Sequence, residues 1–142
     1  MLKILFIKQN KILIRTGFIN MIKNPKWTYV ELVLALELYM RYRPNPPGKN
    51  SQEVHQLSTI LRLNALSDGL KINKVFRNIN GVAMKLQNFR RFDSRFKGFG
   101  LRAGGELEKV IWEKYQNLNK LKKTCEKIRD NIEAKIGDII DA

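Results

Sequence analysis

Leu32, Ala35, Leu36 and Tyr39 recur at helical spacing behind Trp27-Thr28, with Glu31 three residues beyond the threonine. Thr followed three later by Glu is a capping box. Each side chain satisfies a backbone N–H that the helix start would leave bare, and Trp27 is placed to staple the first turn. The pattern predicts a helix to about Tyr42. The segment Arg43-Pro-Asn-Pro-Pro-Gly-Lys-Asn50 must be a loop, because three prolines and a glycine cannot continue a helix. A second helix opens on Ser51, with Glu53 in its first turn and Val54, Leu57, Ile60 and Leu61 as its buried stripe. From Leu63 to Asn73 the pattern fades around Asp68-Gly69, a turn signal, and a connection is expected.

A third helix is predicted from Ile79 or Asn80 to Phe92. Asn78 or Asn80 is its cap, and Val82, Leu86 and Phe89 are its inner edge. Arg95 to Gly105 is irregular, interrupted by Gly98, Gly100, Gly104 and Gly105. A helix begins near Glu106, an acid suited to a helix N-terminus, and includes Val110, Ile111 and Trp112. Leu118, Leu121, Cys125, Ile128 and Ile132 then mark two turns of a heptad seam. That seam, within residues 118–139, has three readings: a homodimer contact, a linker to a further domain, or an arm packed on the core. The leading segment is apolar, but Lys3, Lys8, Lys11 and Arg15 cut it into pieces too short for a signal peptide. Residues 1–22 are therefore expected to be a leader or a false start, with Met21 as the alternative true start. Residues 23–115 form the helical domain, and 116–142 a C-terminal amphipathic helix or linker. The fold class is all-α or mainly α, a helix-turn-helix-like three-helix core plus a C-terminal helix.

Charge changes what this helical chain is expected to do. Its 142 residues include 27 Lys and Arg against 13 acids, a formal net charge of +14. Solubility of a small domain needs only about 2–8. Residues 71–102 hold nine of the basic residues and one acid, Asp93, so more than half of the net charge lies in under a quarter of the length. Concentration of this kind is the electrostatic footprint of phosphate contact.

The ingredients of other chemistries are missing. One cysteine, Cys125, and one histidine, His55, exclude a disulfide framework and a four-ligand zinc site. The single Cys and Lys-rich composition suit a reducing cytoplasm. No run of about 20 apolar residues offers a membrane span. The glycines of 98–105 fit neither GxxxxGK[ST] nor GxGxxG, so no cofactor is expected. Metal-dependent nuclease chemistry needs clustered carboxylates or histidines, and the basic block holds only Asp93. The chain is expected not to be an enzyme.

With Val82, Leu86 and Phe89 turned inward, Lys85, Gln87, Asn88, Arg90 and Arg91 are available on other faces of the third helix. Asn and Gln pair bidentately with adenine, and Arg and Lys grip guanine or the backbone. A helix, a connection and then a short basic helix follow the helix-turn-helix principle, with a longer connection than the tight motif has. Asn80, Arg95, Lys97 and Arg102 are expected on the backbone or flanking bases. Phe96 and Phe99 are expected to anchor the glycine-rich loop, and Trp27, Tyr39 and Trp112 to fill the core. Double-stranded DNA is thus the expected partner. Alternatives are an RNA-binding basic protein, a stand-alone helix-turn-helix regulator, and a protein-interaction module working through the C-terminal helix.

The chain also carries Trp27-Thr28, Glu31-Leu32, Leu34-Ala35-Leu36 and Leu38-Tyr39. Further along come Glu53-Val54, Leu57-Ser58, Phe76-Arg77-Asn78, Asn80-Gly81-Val82-Ala83-Met84-Lys85-Leu86, Asn88-Phe89, Gly98, Gly100-Leu101, Val110 and Trp112. Over about residues 25–115 this resembles the N-terminal DNA-recognition domain of McrA-like, modification-dependent HNH restriction endonucleases. The 76–89 segment is the most specific part. A looser likeness is to Myb/SANT-type modules. The resemblance implies a recognition head that delivers a separate HNH nuclease domain to DNA, with modified DNA as a candidate target. The histidines and metal site of such a nuclease are not in this sequence.

Overall fold

A computed structural model describes residues 24–98 and 105–142. Its elements are α1 (Tyr29–Tyr42), α2 (Gln52–Ser67), α3 (Ile79–Arg90), α4 (Glu106–Lys114) and α5 (Leu118–Asp141), and no strand occurs among the described residues.

The capping box forms as its residues predict. The Glu31 N–H reaches Thr28 Oγ1 at 3.3 Å, and the Thr28 N–H donates to Glu31 Oε1 at 2.8 Å. The helix it opens is more deeply buried than one apolar stripe requires. Ten consecutive residues, 31 to 40, are buried. A helix buried on every side must be surrounded, and α1 packs against all four other helices. Val33, Leu34, Leu38 and Met40 therefore join Leu32, Ala35, Leu36 and Tyr39 in the core. Central placement also buries two carboxylates, Glu31 and Glu37, which need cations beside them. Glu37 receives Arg41 at 3.1 Å and Arg129 of α5 at 3.3 Å.

The second helix corrects the expectation for residues 63–73. It runs on to Ser67, burying Leu63, Ala65 and Leu66. It then stops in a Schellman turn: the Gly69 N–H donates to the Leu66 carbonyl and the Leu70 N–H to Ala65, with Gly69 at φ +83°. The connection beyond it is pinned rather than loose. Ile72 and Phe76 are buried, Arg62 donates to the carbonyls of Asn73 and Phe76, and Ser58 Oγ donates to the Arg77 carbonyl at 2.6 Å.

Asn78 caps α3 by accepting from the Gly81 N–H at 2.8 Å, and the helix ends at Arg90, two residues short of the expected Phe92. The long α5 packs on α1 and α2. Its apolar stripe, Leu121, Cys125, Ile132 and Ile136, is buried within the chain. The residues read as a dimer seam are thus largely enclosed by this chain's own helices, while Leu118 stays exposed.

Candidate nucleic-acid interface

α3 is seated by Val82, Leu86 and Phe89, each with no exposed surface. At 100° per residue the opposite stripe is Asn80, Met84, Gln87 and Arg91, with Ala83 and Arg90 on one shoulder and Asn88 on the other. Asn80 and Met84 are exposed, whereas Gln87, Asn88, Arg90 and Arg91 are half-buried. The N-terminal half of α3 is therefore its open part.

Arg90 sits in a neutral cradle. Nη1 donates to Gln87 Oε1 at 3.1 Å and Nη2 to Asn45 Oδ1 at 3.3 Å, and its Cζ lies 3.6 Å from the centre of the Phe96 ring. No carboxylate pairs with it among the described residues. Its orientation is held by amides and a ring face, so its charge is not cancelled. Arg91 lies over the Phe92 ring at 4.3 Å. Arg95 and Lys97 are exposed on the loop after α3. Arg102 lies outside the described residues.

Lys85 departs from its expected place at the groove. Its Nζ binds Glu108 Oε1 at 2.7 Å, with 13% of its side chain exposed, and also lies 5.3 Å from the Trp27 ring centre. It ties α3 to α4 and is neutralised there. Burial pushes the Glu108 carboxyl up, but the Lys85 ammonium and backbone N–H groups overcome this and hold it below its ordinary value.

Asp93, the lone acid of the basic block, is a structural junction. It accepts from Tyr39 Oη at 2.8 Å, Arg43 Nε at 3.0 Å, Arg43 Nη2 at 2.5 Å and the Arg95 N–H at 3.0 Å. Burial opposes its ionisation, yet these four donors bring its pKa down to about 2. Burial, then the Asp93 carboxylate, push the Tyr39 phenol well above its usual range. The junction fixes the loop carrying Arg95 and Lys97 against α1.

Two contributors were not assigned to the site from the sequence. Asn45, in the proline-rich loop, reaches Arg90 across 45 residues of chain, and Phe96 proves to be the platform under that guanidinium. An aromatic beside basic residues was a signal for Phe96; Asn45 carried none.

Among the described residues no group of His, Cys, Asp and Glu could hold a metal ion. Burial pushes the Cys125 thiol up to about 12, which makes it a core atom rather than a nucleophile. No described helix is long and apolar enough to cross a membrane. Comparisons with protein-family models, curated proteins and solved structures return no match to this chain.

Proposed function

We propose that this chain is a double-stranded DNA-binding recognition module that presents the outer stripe of α3 to the major groove. The observation that carries this reading is Arg90, an oriented guanidinium without a carboxylate partner among the described residues, on a helix in the chain's most basic segment. Recognition helices of helix-turn-helix proteins read bases with their N-terminal residues. Asn80 and Met84 hold that position here, while Gln87 orients Arg90, and Arg90, Arg91, Arg95 and Lys97 serve the phosphates. Lys71 and Lys74, exposed just before α3, extend the cationic track. Within the same proposal, the resemblance over residues 25–115 makes the module the recognition head of a restriction system, its HNH nuclease lying on a separate domain or chain. The protein-interaction alternative is weakened by the burial of most of the α5 stripe inside the chain.

Binding to duplex DNA as a function of salt tests the reading. Neutralising roughly 5–8 phosphates gives a log-log slope of about −5 to −7. A flat response, or preference for RNA in direct competition, overturns it.

A further inference from the structure

Met84 is 59% exposed, more than any other large apolar side chain among the described residues. It is not a core residue left uncovered at an edge. The inner face of α3 is complete in Val82, Leu86 and Phe89, and Met84 stands on the opposite side, one turn from Asn80 and one turn from Gln87. With the half-buried Ala83 beside it, it makes a small apolar spot in a polar stripe. A spot of one or two side chains is far below the several hundred Å² that mark a protein-docking patch. It matches a single methyl group.

We propose that Met84 is the specificity contact of α3, and that its ligand is the 5-methyl group of a thymine in the major groove; this rests on the duplex-DNA reading above. Thymine is the one standard base that presents a methyl group in that groove, and apolar side chains are its partners. The flanking residues favour thymine over 5-methylcytosine. Asn and Gln pair bidentately with adenine N6 and N7, and each adenine brings a thymine methyl beside it on the other strand. The exposed amide of Asn80 and the exposed thioether of Met84, one turn apart, therefore match an A·T-rich step. The unbranched thioether, with three rotatable bonds, can follow a methyl group from either neighbouring base pair.

The test uses the full chain and duplexes selected from a random pool, resynthesised with uracil replacing each thymine in turn. Uracil differs from thymine only by the methyl group. Loss of one buried methyl contact corresponds to about fourfold weaker binding at the contacted position. The Met84→Gln variant keeps the salt slope, binds the thymine duplex about fourfold more weakly and no longer separates thymine from uracil there. Wild-type protein that binds with a steep salt slope and ignores every uracil substitution overturns the Met84 assignment and leaves the DNA interface standing. Absence of binding to any duplex overturns both. A gain from 5-methylcytosine in thymine-free duplexes, lost in Met84→Gln, overturns the thymine assignment.

Discussion

Arg77 and Glu31 meet across 46 residues of chain, Nε to Oε2 at 2.7 Å and Nη2 to Oε1 at 3.0 Å, with side chains 4% and 5% exposed. The same carboxylate accepts the Thr28 N–H, so one residue both caps α1 and anchors the loop before α3. Arg77 adopts φ +45° to reach it, an uncommon conformation for a side chain of its size, and also donates to the Lys26 carbonyl at 3.1 Å. Removing one partner leaves a buried charge without compensation. Arg77→Met is expected to cost about 3–5 kcal/mol in urea denaturation. A loss below about 1 kcal/mol would show that the pair does not hold the loop.

The Asp93 junction makes stability acid-sensitive. Its folded pKa, about 2, lies below the ordinary 3.8, so its contribution is complete above pH 4 and disappears as pH falls toward 2. The shift corresponds to about 2 kcal/mol. Denaturation of wild type from pH 6 to pH 2 should show this decline. Asp93→Asn should be less stable at pH 6 and should lack that component; parallel pH curves would remove Asp93 as its source.

Lys85 and Arg90 should separate in function although both lie on α3. Lys85→Met leaves Glu108 buried without its cation and should destabilise the fold by about 2–3 kcal/mol, with duplex affinity retained below the unfolding range. Arg90→Ala should weaken duplex binding about tenfold by losing an oriented phosphate contact, at a stability change near 1 kcal/mol. The reverse pattern would move the interface away from Arg90.

Gly69 offers a test free of packing. A Cβ there meets nothing within 4 Å, yet φ is +83°, so Gly69→Ala should cost about 1 kcal/mol through backbone strain alone. Gly48, with equally open surroundings and no positive φ, should accept Ala almost unchanged. Equal effects at both sites would contradict the Schellman termination of α2.

The predicted caps on Thr28 and Ser51, the turn at Asp68-Gly69 and the inner edge of α3 all appear where the residues place them. Each depends on partners within about four residues, which a linear sequence displays. The extent of α2 was harder to read, because Leu63, Ala65 and Leu66 lie where its stripe rotates around the helix to meet other elements. The same limit applied to α1, whose near-continuous apolar run gives no preferred face.

What the sequence determined by itself was a helical chain, its helix starts, and a dense block of positive charge around α3. Tertiary structure decided which of those charges are compensated. Arg77 and Lys85 are neutralised by Glu31 and Glu108, which lie 46 and 23 residues away, and Asp93 is taken up by Arg43, 50 residues away, whereas among the described residues Arg90 meets only amides and a ring. Charge counts by position, but pairing falls steeply with distance through space, and only the packing of α1 among its four neighbours sets those distances.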